Sequence, residues 1–193
     1  MNIVTDRIYG VWLHIYLHKR GNMRVSSIAV LIVVSGPVFA GCPIGQKEFM
    51  SCNIENSQNV LSVCFDDTSA YYSFGLQGRL PDLALSEPIE TINYTPWPGV
   101  GRAIWESLTF RNDEYSYTVV AGFDRMFDDE TEEDHPTPHF GEVQVKRDGE
   151  TLVNLNCERG STAFAWTPEI YEAKEAAGYE WDDRNRLWFK TQE

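Results

Sequence analysis

Two histidines stand four residues apart in an acidic segment of the chain: His135 and His139, within residues 127–140. On a helix this spacing would present two imidazole rings to one Zn²⁺ ion. Pro136 and Pro138 prevent such a helix, because proline lacks the backbone donor and clashes with the preceding turn. We therefore predict no metal site and no cofactor, and we expect a solvated loop in which like charges keep the segment out of the core.

Nucleophilic catalysis needs a Ser, Cys or Thr close to a histidine that the fold holds in place. Apart from two histidines in the first 22 residues, His135 and His139 are the only ones in the chain. Both lie in the acidic segment, and the cysteines are expected to be oxidised. Many Asp and Glu side chains are present, but their number alone defines no site. We therefore assign no catalytic residue and expect a protein that is not an enzyme.

The four cysteines, Cys42, Cys52, Cys64 and Cys157, all follow residue 40. An even number of cysteines in an exported chain favours disulfides, because compartments outside the cytoplasm are oxidising. We therefore expect two disulfide bridges. The spacing of the cysteines leaves their pairing open.

The segment from Met23, MRVSSIAVLIVVSGPVFAGC, has the layout of a secretory signal. One Arg precedes the apolar residues 28–34, which are followed by a Gly-Pro break and small residues. The apolar stretch is too short to cross a bilayer as a helix, which needs about 20 residues. We therefore predict a signal peptide at 23–40 and a periplasmic or secreted product. Residues 1–22 are interpreted as an over-extended reading frame, with a membrane-proximal leader as the alternative.

The end of this signal, VFAGC, gives Cys42 two alternative fates. Cleavage before Gly41 would leave Cys42 as a thiol and keep the number of cysteines even. Lipidation of Cys42 would instead anchor the chain to a membrane and leave three cysteines, one of them unpaired. Phe39 stands where a lipidation motif needs an aliphatic residue, so cleavage is favoured and the anchored form stays the alternative.

The chain that would remain after cleavage is strongly acidic. Four of the 16 basic residues and one of the 29 acidic residues lie within 1–40, so residues 41–193 carry 12 basic and 28 acidic side chains, a formal charge of −16. This charge disfavours nucleic acid, whose binding depends on Lys and Arg neutralising phosphates. The same charge would speed the encounter with a basic protein.

Residues 47–75 contain three β-rich runs separated by short polar turns, a pattern typical of an antiparallel meander. Residues 83–92 are a weaker strand candidate that Pro88 interrupts, which predicts a position at a sheet edge. Two hairpins follow, and the second turns at Asp148-Gly149, a pair that supplies the positive φ angles of a tight turn. We therefore predict a mainly β domain over 41–160, an antiparallel meander closing into a small barrel or a sandwich.

The first arm of the earlier hairpin, residues 104–110, has a mixed pattern. In a strand, one face would carry Ile104, Glu106, Leu108 and Phe110, and the other would carry Trp105, Ser107 and Thr109. Neither face is therefore purely apolar or purely polar.

The C-terminal residues 161–193 change character and predict a short helix followed by a β-hairpin. Thr167 is the expected N-cap, Pro168 the first helical residue and Gly178 the stop. A short aromatic hairpin, YEW and LWF joined by DDRNR, follows the glycine.

The strongest binding candidates are aromatic residues in and after the loop NYTPWPGVG. Trp and Tyr often anchor interfaces, although most aromatic residues in a β protein pack in the core or across strands. Trp97 is the leading candidate, because it lies between two prolines in a loop. Arg102 and Trp105, a few residues further on, complete the predicted binding set.

Several stretches in sequence order carry a resemblance to a known family. They are Ser51-Cys52, VLSVCFDDTSAYYSFG, SYTVVAGF and EVQVKRDGETLVNLNC, which ends at Cys157. Together they resemble the bacterial periplasmic inhibitors of c-type lysozyme, which are small antiparallel β-barrels with an early and a late cysteine. The resemblance implies that Cys52 pairs with Cys157, and that Cys42 and Cys64 form the second bridge. It also implies a basic partner such as a lysozyme.

The family inserts a Ser-Gly-x-x-Tyr loop into the lysozyme cleft, whereas GVGRAIW, residues 99–105, occupies the comparable region without the serine.

The tail is similar to a second type of sequence, the short EAK-Gly-Trp-Asp-Trp module that is appended to primase-like and mobile-element proteins. Its matching residues run from Glu172 to Asp182 and continue through Trp188. We interpret it as a helix packed on a two-stranded ribbon, with Trp181 and Trp188 as a miniature core.

These observations predict an exported, disulfide-bonded β protein of the cell envelope. We expect it to bind a protein or a wall component, as a lysozyme-inhibitor-like protein would, without binding nucleic acid. The alternative is a lipid-anchored structural protein of the envelope, which would contact the membrane through Cys42 and have no inhibitory activity.

Overall fold

The computed structural model of the protein describes residues 41–125 and 139–191. No helix in this part of the chain has the length and apolar character that crossing a bilayer requires. The predicted signal peptide at 23–40, the extension at 1–22 and His135 lie outside the described residues, as does most of the acidic segment.

The described chain forms two five-stranded sheets, a two-stranded ribbon and one short helix. In chain order the strands are β1 Lys47–Asn53, β2 Asn59–Phe65, β3 Ser69–Leu76, β4 Leu83–Pro88, β5 Asn93–Thr95, β6 Ala103–Asn112, β7 Tyr115–Asp124, β8 His139–Arg147, β9 Glu150–Asn156, β10 Ala163–Phe164, β11 Tyr179–Asp182 and β12 Leu187–Lys190, with helix α1 Glu169–Ala176 after β10. The first sheet has the order β10-β1-β2-β3-β4, the second has the order β5-β6-β7-β8-β9, and β11 pairs with β12. The paired strands are antiparallel.

The first sheet confirms the meander predicted over residues 47–75. Its strands β1, β2 and β3 follow one another with short turns, and β4 adds the next strand at the edge. β4 ends at Pro88, as expected for a residue that has no N–H to donate to a further strand.

The second sheet confirms both predicted hairpins. The β8–β9 turn is formed by Asp148 and Gly149 at φ 49° and 85°, the positive angles that a tight two-residue turn requires. A bulge after Val145 shifts the register, so Val145 pairs with Val153. Leu152 is therefore displaced from the ladder and is 55% exposed.

The core lies between the two sheets. Alternate residues of β2 and β6 point inward, and Tyr72 of the first sheet packs its ring 5.5 Å from Phe110 and 5.6 Å from Tyr117 of the second. The sandwich alternative is therefore confirmed, and the sheets do not close into a barrel. One reason lies at β5, an edge strand of three residues after which Pro96 and Pro98 cannot donate to another strand.

Two disulfides fasten this framework. Cys42 is bonded to Cys64, and Cys52 on β1 is bonded to Cys157 just after β9, with Cα–Cα distances of 5.6 and 5.7 Å. These are the pairs that the family resemblance implies. Gly141 lies against the second bridge, where a Cβ atom would come within 2.7 Å of the Cys157 Sγ atom. The two bonds indicate an oxidising, extracytoplasmic environment.

The C-terminal helix and hairpin form as predicted, with one correction. The N-cap residue of α1 is Pro168, one position later than expected, because the Thr167 hydroxyl bonds the Glu169 carboxylate at 3.2 Å instead of capping a backbone amide. Gly178 follows the helix at φ 84° and ends it as predicted. Trp181 and Trp188 pack together at 5.5 Å between ring centroids.

This C-terminal segment also packs on the β sheets. β10 pairs with β1, and the buried Lys174 Nζ atom donates to the backbone carbonyls of Ile89, Glu90 and Ile92. Trp188 Nε1 donates to the Tyr94 carbonyl at 2.7 Å. The tail therefore holds β5 and the segment before it in place.

Candidate binding cleft

A cleft of about 310 Å³ opens between the second sheet and the segment that leads into α1. We call it the Glu106 cleft after the one carboxyl group among its lining residues. These residues come from β5 and the loop after it, from β6, and from the start of α1: Tyr94, Pro96, Trp97, Glu106, Trp166, Thr167, Pro168 and Tyr171.

Glu106 reaches this cleft because of the alternation along β6. Ile104 and Leu108, two residues away on either side, face the core, so the strand carries Glu106 inward on the same face. Its side chain is enclosed, and the residue is 4% exposed. The neighbouring β5 places the Tyr94 hydroxyl where it donates to Glu106 Oε1 at 2.6 Å.

The environment of Glu106 changes its ionisation. Burial raises the pKa of Glu106 to about 7, since a carboxylate loses hydration there, and the hydrogen bond from Tyr94 opposes part of that rise. Burial and the adjacent Glu106 also raise the pKa of Tyr94, so the phenol stays protonated as a donor. No described residue donates a hydrogen bond to the other carboxyl oxygen, Oε2. A buried carboxyl with a shifted pKa in a cleft is typical of a functional site.

Aromatic rings form much of the wall. Trp97 and Trp166 meet edge to face, with ring centroids 6.0 Å apart, and Trp166 is 49% exposed. Arg125 lies over Trp97 with Cζ 4.9 Å from the ring centroid, and its Nη2 donates to the Gly101 carbonyl. The Trp97 Nε1 donor is enclosed and has no hydrogen-bond partner in the described part of the protein. An unsatisfied buried donor costs about 1–3 kcal/mol, so this wall is not optimised for stability alone.

The structure separates the three predicted binding residues. Trp97 lines the Glu106 cleft. Trp105 points to the opposite side of β6, where its Cβ atom would lie 2.8 Å from a Cβ added to Gly122. Arg102 pairs with Asp124 at 2.8 Å on the surface. The structure therefore does not bring the three residues together in the lining of one cleft, and their role in binding stays a prediction.

His139, the described member of the histidine pair, begins β8 and packs on Phe123 with ring centroids 5.8 Å apart. Within residues 41–125 and 139–191, no group of three or more His, Cys, Asp or Glu side chains could hold a metal ion.

The sequence analysis missed three residues of the site: Glu106, Trp166 and Tyr171. The position of Glu106 among apolar residues was visible, but the pattern did not tell a buried carboxyl from an exposed one. Trp166 and Tyr171 gave no local signal. They reach the cleft only because β10 pairs with β1 and directs the following chain towards β5.

A larger groove, of about 400 Å³, is lined by residues of β2, β3 and β4 and by the segment before β1. Its one charged lining side chain is Arg79, and the buried ionisable group in its lining is the phenol of Tyr72, not a carboxyl group. The Glu106 cleft is therefore the better candidate for specific recognition.

The lining of the Glu106 cleft supplies one acid, a threonine hydroxyl and aromatic rings. A single carboxyl group lines it, and none of its lining residues is a His or a Cys. Paired carboxylates and a nucleophile with its base are thus both missing from the lining. The cleft offers hydrogen bonding, charge and aromatic contact to a ligand.

Comparisons with family models, with curated proteins and with solved structures found no match to this chain. The likeness to the lysozyme inhibitors therefore stays a prediction from short sequence stretches.

Proposed function

We propose that this protein binds a basic partner protein outside the cytoplasm, and that the Glu106 cleft receives a group of that partner. The buried carboxyl group of Glu106 in an aromatic cleft carries the proposal. Holding an acid with one hydrogen bond in such a place costs stability, so a ligand that complements it is the natural explanation.

Charge supports a basic partner. Residues 41–193 have a formal charge of −16, which would attract a cationic protein over long range at low ionic strength. A c-type lysozyme is the first candidate, since such enzymes are basic and the family resemblance points to them. The loop before β6 lacks the serine of the family's inhibitory loop, so we expect contact through the cleft instead.

The proposed location is the periplasm or the medium, after removal of a signal peptide at 23–40. The Cys42 Sγ atom is bonded to Cys64, which supports a soluble product over an anchored one, because a lipidated sulfur could not form that bond. Mass spectrometry of the mature N-terminus would decide: Gly41 without a lipid supports this proposal, and a diacylglyceryl group on Cys42 supports the anchored structural protein.

Binding of a c-type lysozyme to the oxidised protein tests the partner. We expect binding at low ionic strength that weakens severalfold towards about 0.2 M salt, where the Debye length falls below about 8 Å. Glu106→Gln should lower the affinity about tenfold, or 1.4 kcal/mol.

The matched control is Glu150→Gln, which removes the same charge from an exposed position at the start of β9. This control should leave the affinity nearly unchanged. If the oxidised protein does not bind lysozyme at low ionic strength, lysozyme is not the partner. If Glu150→Gln weakens binding as much as Glu106→Gln, the cleft is not the contact.

A further inference from the structure

The Glu106 cleft combines one buried carboxyl group with aromatic walls, and we infer that it binds the ε-ammonium group of a lysine side chain on the partner. This inference rests on the proposed function, since it names the group of a basic protein that enters the cleft.

The carboxyl geometry favours an ammonium group over a guanidinium group. Tyr94 already donates to Glu106 Oε1 at 2.6 Å, so Oε2 is the oxygen to which no residue of 41–125 or 139–191 donates. A guanidinium group binds best when both carboxylate oxygens accept its two parallel N–H groups. An ammonium group is a compact point charge that needs one free oxygen and close aromatic faces.

The aromatic walls supply those faces. A cation within about 6 Å of an indole or phenol ring is attracted by the ring's negative face, most strongly where water is excluded. Arg125 already occupies a position over Trp97 at 4.9 Å, so the rings of Tyr94, Trp166 and Tyr171 are the other aromatic groups of the lining.

The protein also holds an ammonium group of its own beside aromatic rings a few residues along α1, with three backbone carbonyls as its acceptors. Lys174 Nζ lies 5.3 Å from the Trp188 ring centroid and 5.4 Å from that of Tyr179. Tyr171, which lines the cleft, packs on the same Trp188 ring at 5.0 Å. Aromatic rings of this segment therefore already accommodate one buried ammonium group, and Tyr171 brings a ring of the same cluster to the cleft.

A sugar fits the cleft less well. Sugars stack on a flat exposed ring while polar side chains bond their hydroxyl groups. Here Trp97 and Trp166 stand at 90° to each other and form a corner, and Thr167 and Glu106 are the polar side chains of the lining besides the tyrosines.

Few other groups would affect the ionisation of the cleft. Tyr94 from β5 and Tyr171 from α1 line the cleft with Glu106 and keep their protons, because burial raises the pKa of each. β7 presents Ala121 opposite Glu106, and Arg125 is the charged side chain over Trp97. Glu106 should therefore dominate any pH dependence of binding near neutrality.

The test uses the oxidised protein and small probes in place of the partner. Nα-acetyl-lysine methylamide is titrated while tryptophan fluorescence and the indole N–H signals are recorded, from pH 5 to 9. We expect a millimolar dissociation constant, which corresponds to a binding free energy on the order of 4 kcal/mol. The affinity should be constant above about pH 7 and fall about tenfold per pH unit below it, because the cation needs the ionised carboxyl.

Three further probes serve as controls: the arginine analogue, the neutral norleucine analogue and a trimer of N-acetylglucosamine. We expect the arginine analogue to bind at least threefold more weakly, and the other two to bind not at all. Glu106→Gln should abolish the lysine response, and Trp166→Leu should weaken it about fivefold. The wild-type pH profile tests the inference even if a variant fails to fold.

Equal binding of norleucine, preferred binding of the sugar trimer, or a flat pH profile would each overturn the inference. Its failure is distinguishable from that of the proposed function. Lysine binding without lysozyme binding would reject lysozyme as the partner and retain the site. Lysozyme binding that survives Glu106→Gln, together with an absent lysine response, would reject the site and retain the partner.

Discussion

Among the described residues the protein buries one carboxyl group and one ammonium group, and it treats them differently. Lys174 on α1 donates to three backbone carbonyls at 2.9, 3.2 and 2.9 Å, which matches the three donors of an ammonium group. Glu106 on β6 accepts one hydrogen bond, from Tyr94. The fully bonded lysine fastens the tail to the sheets, whereas the partly bonded glutamate lies in an open cleft. The contrast teaches that the number of satisfied bonds separates a structural buried charge from a candidate binding group.

The largest loss of unfolding free energy should come from opening a disulfide, which would destabilise the regions around Lys174 and Glu106 together. Replacing Cys52 and Cys157 by Ser opens a bridge between residues 105 apart in sequence, which should cost about 4–5 kcal/mol of unfolding free energy in the chain-entropy model. Denaturant unfolding measures the loss. Replacing Cys42 and Cys64, which are 22 apart, should cost less, about 3 kcal/mol. An equal or reversed order would contradict the role assigned to the long bridge.

The next largest loss of unfolding free energy should follow the replacement of Lys174, whose three N–H donors are all bonded. Lys174→Met keeps the length of the side chain but removes the donor to three backbone carbonyls, two of them in buried contacts, and should lower the unfolding free energy by about 3 kcal/mol. The control is Lys190→Met, since the exposed Lys190 pairs with Glu90 at 3.4 Å and lies 5.7 Å from the Tyr179 ring centroid, and should contribute less than about 1 kcal/mol. If the two variants are equally stable, Lys174 does not fasten the tail.

The pH dependence of stability should identify Glu106. Its folded pKa of about 7 lies above the ordinary value of 4.5, so the folded state keeps a proton that the unfolded state releases between these values. Stability should therefore fall as the pH rises from about 4.5 to 7 and should then level off. Between pH 5 and 7 the wild type should lose about 2 kcal/mol more than Glu106→Gln, as measured by thermal or urea unfolding. Parallel profiles would refute a raised pKa.

The smallest expected effect is a change in binding of the lysine probe, and it tests the role of Tyr94. Its hydroxyl stabilises the ionised form of Glu106, so Tyr94→Phe should raise the pKa of Glu106 further. Binding of the lysine probe at pH 7 should weaken about threefold and should recover at pH 9, where the carboxyl is ionised in both proteins. Tyr115→Phe, on β7 and outside the cleft lining, is the matched control. A loss that persists at pH 9 would indicate a steric effect instead.

Much of the sheet architecture follows from local sequence. Pro88 marked an edge strand, and Asp148-Gly149 marked a turn, because each residue type has a backbone restriction that acts whatever surrounds it. The helix stop at Gly178 followed for the same reason. Such features could be predicted without knowing the rest of the fold.

The cleft could not be predicted in this way, because it depends on contacts between distant segments. Trp166 meets Trp97 only after β10 has paired with β1, and Lys174 is buried only because the carbonyls of residues 89–92 face it. The choice between a sandwich and a barrel likewise depended on whether the outer strands meet. Local patterns do not contain that information.

The bridge from Cys52 to Cys157 has one mechanical consequence. A pull applied to the two ends of the chain would pass through this sulfur–sulfur bond, since it connects the first strand to the residue after β9. The span between the two cysteines, which includes β5, β6 and Glu106, would carry no tension. We therefore expect a force on the termini to extend the segments before Cys52 and after Cys157, while most of both sheets stays folded.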